Sequence, residues 1–236
     1  MQNKLEQPCQ SPSNNSASEM KLELLDVYQD NFIDLWFIRF FSSKIANILN
    51  LDKKVTSYQD FVELSKEILV GRNAQQQQLI VEKVLDSFIP APILASIRFF
   101  FSPTQTICEL NAWFATKLFQ WLVGPCDLAE TEIQLKDGTS RIQNSAVQIR
   151  KCRYLEETVC VGLCVNICKA PTQKFFTEKF GIPVTMTPNF EDLSCKMIFG
   201  EFPPSPENDP AYQQVCMHSK NPNAKLLNLP CHKLSS

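Results

Sequence analysis

The apolar positions in the first part of the chain recur at helical spacing. Between residues 25 and 40 they follow steps of three and four, and the pattern returns in residues 57–70 and 74–88. Ser57 stands where an N-cap would begin the second of these segments. Two prolines in Ile89–Pro92 then interrupt the pattern, because proline disfavours helix at the residue before it. The pattern predicts three helices before this break.

A further helix is predicted from about residue 103 to residue 123. Ser102 is its candidate N-cap, Pro103 suits its first turn, and Gly124–Pro125 would end it. One apolar stripe favours packing against the core, and the alternative is an apolar groove or a membrane-surface contact, since Phe-rich residues 97–101 lie just before it. The stripe consists of Ile107, Leu110, Phe114, Leu118 and Trp121, with Trp113 beside it.

The pattern changes to strand-like alternation after residue 131. Residues 132–136 and 147–149 alternate on either side of the turn signal Asp137–Gly138, which predicts a β-hairpin. The elements expected afterwards are helices at about 159–169 and 171–180, closed by Gly181, and strands at 184–186 and 194–199. The predicted fold class is α+β, with an N-terminal helical region followed by a small mixed α/β cysteine-rich region.

Composition divides the chain into four parts. They are a disordered tail at 1–18, a helical region at 19–125, a cysteine-rich α/β region at 126–202 and an irregular Pro-rich tail at 203–236. The formal net charge of -2 argues against a nucleic-acid partner, which requires a basic face. Residues 1–18 have neither the apolar core of a signal peptide nor the arginines of a transit peptide. Ten cysteines in such a chain favour a reducing compartment over a disulfide scaffold.

The candidate chemistry lies in the cysteines. Cys152, Cys160, Cys164 and Cys168 fall within seventeen positions, and Cys195 follows. Thiolates at short spacing are ligands for soft metals and iron–sulfur clusters, and this density favours metal binding over cysteines that merely pack as small apolar residues. The isolated Cys9, Cys108 and Cys126 are expected to be passive. The two histidines, His218 and His232, both lie in the predicted tail, so no nucleophile–base pair is indicated.

The spacing restricts how these thiols can share one site. On a regular helix Cys160, Cys164 and Cys168 share a face, but the two outer residues lie roughly 12 Å apart along the axis. One ion with metal–sulfur bonds near ~2.3 Å cannot bind both. Either the helix is broken, which Gly162 would permit, or two neighbours form a site with Cys195, Cys152 or Cys216. The C-x3-C-x3-C spacing matches neither zinc ribbons nor bacterial ferredoxins.

These residues resemble one family, the plastid β-carotene isomerases of strigolactone biosynthesis. The resemblance spans roughly residues 30–216, and its most specific part is the block from the cysteines to PNFEDLSC. The stretches that carry it are CRYLEET (152–158), CVGLCVNICKAPTQ (160–173), GIPV (181–184), PNFEDLSCKMIFGE (188–201), FQWLVGP (119–125), and the PP and DP pairs at 203 and 209.

The resemblance implies an iron-dependent enzyme that interconverts all-trans-β-carotene and its 9-cis isomer. It places the metal ligands on Cys152, Cys160, Cys164, Cys168, Cys195 and Cys216, with iron bound as a single ion or as an iron–sulfur cluster, and it assigns no catalytic side chain. Two departures stand out. The plastid-targeting segment of plant members is not found, and the cysteine expected just after Cys216 is replaced by His218, with Cys231 further on.

Three functions remain open at this stage. They are a carotenoid isomerase that uses cysteine-bound iron, a non-catalytic iron–sulfur electron-transfer or carotenoid-binding protein, and a metal-stapled domain that binds partners. The expected partners are a carotenoid and a membrane surface, because residues 36–41 and 97–101 are apolar but too short to span a bilayer. The expected location is cytoplasmic or peripheral on photosynthetic membranes.

Overall fold

The structure is a computed structural model that describes residues 28–100, 102–134, 138–217 and 231–234. The folded unit begins at Phe32, and the unit before it, Met1–Asn31, lies almost entirely outside the described residues. The predicted tail at 1–18 therefore lies outside them too. The folded unit is α+β, as predicted, with helices first and then an antiparallel sheet surrounded by further helices.

The N-terminal region is helical, as predicted, and the predicted N-cap of its second helix is confirmed. Ser57 is the N-cap of α2, and its hydroxyl accepts a hydrogen bond from the backbone N–H of Asp60, whose carboxylate accepts one from the N–H of Ser57. The helices are α1 (Phe32–Leu49), α2 (Tyr58–Lys66), α3 (Ala74–Asp86), α4 (Ala91–Phe100), α5 (Gln105–Leu118) and α6 (Gln120–Val123).

Helix α5 differs from its prediction in both start and buried face. Its N-cap is Thr104, whose hydroxyl accepts a hydrogen bond from the backbone N–H of Ile107 at 3.4 Å, so Ser102 is not the cap. The residues buried against strand β2 (Ser140–Ile149) are small, such as Cys108 and Ala112, and they allow a close approach of the helix. Phe114 is 53% exposed and Leu110 is 52% exposed. The core-facing prediction is therefore correct for Trp121 and Ile107 but wrong for Leu110 and Phe114, and Phe114 lines an apolar cavity, which agrees with the alternative of an apolar groove.

The sheet contains four strands in the order β1-β2-β4-β3, all antiparallel to their neighbours. Its first two strands form the predicted hairpin. Strand β4 lies between β2 and β3, so Cys195 at its start is opposite Ile149 on one side and Pro188 on the other. The strands are β1 (Cys126–Gln134), β2 (Ser140–Ile149), β3 (Val184–Pro188) and β4 (Cys195–Phe199).

Helices of unusual geometry connect the hairpin to the other two strands. After α7 (Arg153–Thr158), Val159 adopts a left-handed conformation with φ 42° and ends the helix. The chain then forms one helical run over residues 161–180, the π-bulged helix, which packs against α3. It consists of α8 (Val161–Leu163), a π segment (Cys164–Lys169), α9 (Ala170–Lys174) and a second π segment (Phe175–Phe180). Gly181 closes it with φ 75°, as predicted.

The remaining described residues lie in short turns. These are 3-10 segments at Pro206–Asn208, Pro210–Gln213 and His232–Leu234. The backbone N–H of Cys231 donates to the carbonyl of Gln214 at 2.7 Å, which joins the C-terminal segment to residues before the gap at 218–230.

Candidate active site

Four of the six predicted cysteine ligands line one small buried cavity, the thiol cavity. They are Cys152, Cys164, Cys168 and Cys195. The cavity has a volume of about 20 Å³, which is room for one water-sized atom. The remaining lining residues are Val123, Ile149, Tyr154, Leu155, Lys169, Met186 and Pro188.

Three separate parts of the fold bring these thiols together. Cys152 directly precedes α7, and its backbone N–H donates to the carbonyl of Leu193 at 2.7 Å. Cys164 and Cys168 lie in the first π segment, and Cys195 begins β4. The cysteine spacing left two arrangements open, a broken helix or a site that two neighbouring cysteines form with a cysteine from elsewhere. The structure contains elements of both. The helix starts only after Cys160, and the next two cysteines meet Cys152 and Cys195.

Cys164 and Cys168 reach the same cavity because residues four apart share a face of the helix, in a π segment as in a regular α-helix. The π segment that carries them has hydrogen bonds from each residue to the fifth residue along. Such segments are rare and frequently mark functional sites. A four-residue cysteine spacing carries no signal that separates the two geometries, so a regular helix was the expectation.

Burial makes these thiols hard to ionise. It raises the pKa of Cys168 to about 12 and that of Cys152 above the ordinary thiol value. For Cys164 and Cys195 burial again has the largest effect, and the neighbouring cysteines raise the pKa further. The thiols are therefore protonated at neutral pH unless a positive charge enters the cavity. A bound metal ion would supply that charge, and binding would release protons.

One cation already borders the thiol cavity. Lys169 is only 2% exposed, and its ammonium lies 2.8 Å from the carboxylate of the equally buried Asp209, while also donating to the carbonyl of Met186. Its charge acts against burial and lowers the pKa of Cys164, Cys168 and Cys195. The sequence analysis did not single out this pair, because a lysine and an aspartate forty residues apart usually lie on the surface.

The donor set around the cavity has the chemistry of cysteine-bound iron. In the described part of the chain, however, no three His, Cys, Asp or Glu side chains are arranged to hold a metal ion. The two observations are compatible, because side chains can line one cavity without their sulfur atoms converging on one point. The thiols are of the donor type that iron binds, and they line an enclosed cavity. Binding of an ion would require the four sulfur atoms to move closer to one point.

A second, larger cavity lies beside the same helix. This phenylalanine cavity has a volume of about 270 Å³ and is almost entirely apolar. The π-bulged helix contributes Thr172 one turn beyond Cys168, and then three aromatic rings. Nine phenylalanines line the cavity: Phe37, Phe40, Phe41, Phe88, Phe114, Phe119, Phe175, Phe176 and Phe180. One helix therefore borders both the thiols and the apolar cavity.

The other two predicted ligands, Cys160 and Cys216, are not among the residues that line the thiol cavity. They belong to a C-terminal thiol cluster together with Cys231. The ammonium of Lys233 donates to the sulfur of Cys160 at 3.4 Å, and Cys216 packs against the group of buried residues that contains Cys231. Burial raises the pKa of Cys231 to about 11.

Two of the three cysteines that were expected to be passive are also located by the structure. Cys108 and Cys126 are buried outside both groups of thiols, and burial raises the pKa of each to about 11. Cys9 and His218 lie outside the described residues, as does the side chain of His232. Within the described ranges, no helix combines the length and apolar character needed to cross a bilayer.

The fold and site define a cysteine-rich α+β protein with a buried thiol pocket next to an apolar cavity. A sequence model of the family described as "Beta-carotene isomerase D27-like, C-terminal" matches residues 121–208. The chain is 40% identical over 199 residues to "Beta-carotene isomerase D27, chloroplastic" of Medicago truncatula, covering 84% of this chain and 77% of that protein. It is 38% identical over 190 residues to the Arabidopsis thaliana protein of the same name, covering 80% and 70%.

The chain therefore belongs to the β-carotene isomerase D27 family. The resemblance read from its cysteine and PNFEDLSC stretches is confirmed. No solved structure matches the chain.

Proposed function

We propose that this protein is a cis/trans isomerase of carotenoids that interconverts all-trans-β-carotene and 9-cis-β-carotene. The names of its two relatives support this activity. The observation that carries the proposal is the shared helix, because residues 164–169 border a thiol pocket and residues 172–180 border a phenylalanine cavity. Such a placement would hold an apolar polyene next to a redox-active site.

Iron, as a single ion or as an iron–sulfur cluster, would be held by Cys152, Cys164, Cys168 and Cys195. The donor chemistry of four thiols suits either form, whereas the cavity of about 20 Å³ has room for a single ion, so a cluster would require the cavity walls to move apart. Bound iron would supply a one-electron couple, and the transient gain or loss of an electron lowers the bond order of a polyene double bond until rotation is easy. Each tenfold gain in rate requires only about 1.4 kcal/mol off the barrier.

The side chains of this protein would bind and shield the substrate. Nine phenyl rings offer an apolar surface, and Thr172 with Asn111 supplies most of the polar character of the cavity. A volume of about 270 Å³ is at the lower limit of ordinary ligand pockets, and a carotenoid is far longer than such a cavity. We infer that one end of the carotenoid enters and that the rest of the polyene leaves through the mouth, where Phe114 is half exposed.

The mouth of the cavity would face a membrane surface. Trp36 on α1 is 56% exposed and Trp113 on α5 is 51% exposed, and both helices line the phenylalanine cavity. Exposed Arg39 and Lys117 lie on the same two helices and would attract anionic headgroups. A peripheral contact of this kind would deliver a substrate that does not dissolve in water.

Chromatography of carotenoid isomers tests the proposed activity. Anaerobically purified protein is incubated with all-trans-β-carotene in detergent micelles, and with 9-cis-β-carotene in a second reaction. We expect both to approach the same isomer ratio, and we expect no change with the Cys164→Ser variant. Carotenoid that co-purifies with the protein but keeps its isomer composition would contradict the activity and favour the carotenoid-binding alternative.

Vesicle flotation tests the membrane contact. Binding to vesicles that contain anionic lipid should be released by carbonate and weakened by Trp36→Glu and Trp113→Glu. Recovery from membranes only with detergent, or equal binding of these variants, would contradict a peripheral contact.

A further inference from the structure

The C-terminal thiol cluster lies where the end of the chain meets the start of the π-bulged helix. Cys231 is 2% exposed and packs with Val161 and Val165, and the partly exposed Cys216 packs against the same group. The backbone bond from Cys231 to Gln214 holds the two segments side by side, so the two cysteines lie in one packed group because the backbones are joined.

The C-terminal strap, residues 231–234, is also fixed to the π-bulged helix. The carbonyl of Lys233 accepts a hydrogen bond from the amide of the fully buried Asn166 at 2.7 Å. The ammonium of Lys233 reaches the sulfur of Cys160. A Cβ at Gly162 would lie only 2.6 Å from the Cβ of Lys233, so this approach requires glycine. The strap therefore rests on the turn that leads into the thiol cavity.

We propose that Cys216 and Cys231 form a reversible dithiol–disulfide site, whose oxidant is a small-molecule disulfide and whose reductant is a dithiol. The geometry supports this pair over others, because Cys216 packs against the group that contains Cys231 and the two backbones are hydrogen-bonded two residues from Cys216. Cys160 is the third member, but its sulfur is engaged by Lys233 and it is buried.

The reaction is thiol–disulfide exchange in two steps. The thiolate of Cys216, which is the more accessible of the two, attacks one sulfur of the small disulfide and expels the other half as a thiol. Cys231 then gives up its proton and attacks the sulfur of Cys216, and the second half leaves as a thiolate that takes up a proton. The protein loses two electrons and two protons, and the small disulfide gains both.

Oxidation would attach the C-terminal strap covalently to Cys216. A disulfide between Cys216 and Cys231 closes the chain across residues 217–230 and holds residues 231–234 on the π-bulged helix. Closing a loop of about 15 residues should raise the melting temperature by about 5–10 °C in a chain of this size. The site would therefore couple the redox state of the surroundings to the stability of the helix that carries two of the cavity thiols.

Peptide mapping tests the proposal on the full chain. Protein reduced under anaerobic conditions is incubated with glutathione disulfide, its free thiols are blocked with N-ethylmaleimide, and it is digested without reduction. We expect a peptide that joins Cys216 to Cys231, and we expect dithiothreitol to remove it. Cys231→Ser should instead trap one glutathione on Cys216. Cys126→Ser, which removes another buried cysteine, should form the same cross-link as the unmodified protein.

Two outcomes would overturn the proposal. One is the separate alkylation of Cys216 and Cys231 after oxidation, and the other is a cross-link that joins either residue mainly to a thiol of the cavity. The melting temperature checks the consequence independently. It should rise on oxidation of the unmodified protein and stay constant for Cys216→Ser, and an equal rise in both would show that the strap is not the cause.

Discussion

The thiol cavity and the C-terminal thiol cluster lie along one helical run but differ in construction. The cavity draws its cysteines from the start of α7, a π segment and β4, and it includes the buried cation Lys169. The cluster joins the start of the helix to the chain end, and its member Cys216 is only partly buried. An enclosed set of thiols beside a cation suits a metal, whereas a neighbouring pair with partial access suits exchange. Spacing alone therefore does not sort cysteines by function.

The largest expected effect is the loss of isomerisation on substitution of cysteines of the thiol cavity, in contrast to substitution in the C-terminal thiol cluster. Cys164→Ser and Cys195→Ser should abolish isomerisation, because each removes a ligand from the cavity. Cys216→Ser should keep most of the activity. The measurement is the rate of approach to isomer equilibrium, with Cys126→Ser as a control for the loss of a buried thiol. Activity lost in Cys216→Ser and kept in Cys164→Ser would reverse the assignment.

The second prediction compares the lysine beside each group. Lys169→Met leaves Asp209 buried without its counter-charge and should lower the free energy of unfolding by about 3–5 kcal/mol. Lys233→Met removes one half-exposed contact to Cys160 and should cost less than about 1 kcal/mol. Urea unfolding of the reduced proteins measures both changes. Equal losses would mean that Lys169 is not the anchored cation described above.

The third prediction tests whether the phenylalanine cavity binds the substrate that reacts at the thiol cavity. Thr172→Phe fills part of the phenylalanine cavity and should lower kcat/KM for β-carotene at least about tenfold, since the polyene is displaced from its position. Iron content and the Cys216–Cys231 cross-link should not change. Thr106→Phe places the same side chain on an exposed face of α5 and serves as the control. Unchanged kinetics in Thr172→Phe would contradict the proposed substrate position.

The smallest effect on isomerisation is expected from Gly162→Ala. The added methyl group would lie 2.6 Å from the Cβ of Lys233, so the strap must shift, and the free energy of unfolding should fall by about 1–3 kcal/mol. Cross-linking of Cys216 to Cys231 by glutathione disulfide should still be slower, because the strap is no longer held in place. Isomerisation should be nearly unchanged. A cross-linking rate equal to that of the unmodified protein would show that the contact with Gly162 does not position the strap.

Local signals in the sequence predicted most of the elements but not the packing between them. Ser57, the β-hairpin and Gly181 carry their information within a few residues, and each is confirmed. The buried face of α5 was wrong in part, because small residues such as Ala112 pack on the sheet while larger ones such as Phe114 border the apolar cavity. The periodicity of apolar residues indicates which residues share a helix face, but it does not indicate which part of the fold that face packs against.

The ligand set stays a prediction, but the grouping matches one arrangement that the spacing left open, two neighbouring cysteines together with Cys152 and Cys195. The thiols near the helix and Cys195 were expected together, and the structure places four of the six around one cavity. The separate position of Cys160 depends on where the helix begins, and that of Cys216 depends on pairing with Cys231, a contact across a gap in the sequence. Lys169 acquires its role only through burial and its bond to Asp209, which no local pattern encodes.

Iron content of two multiple variants tests the central claim most directly. One variant carries serine at Cys160, Cys216 and Cys231, and the other carries serine at Cys164 and Cys195. Both are purified without oxygen beside the unmodified protein, and iron and acid-labile sulfide are measured per folded chain. We predict that the first variant retains the iron of the unmodified protein and that the second retains none. Loss of iron from the first variant, or its retention in the second, would contradict the division into two groups of thiols.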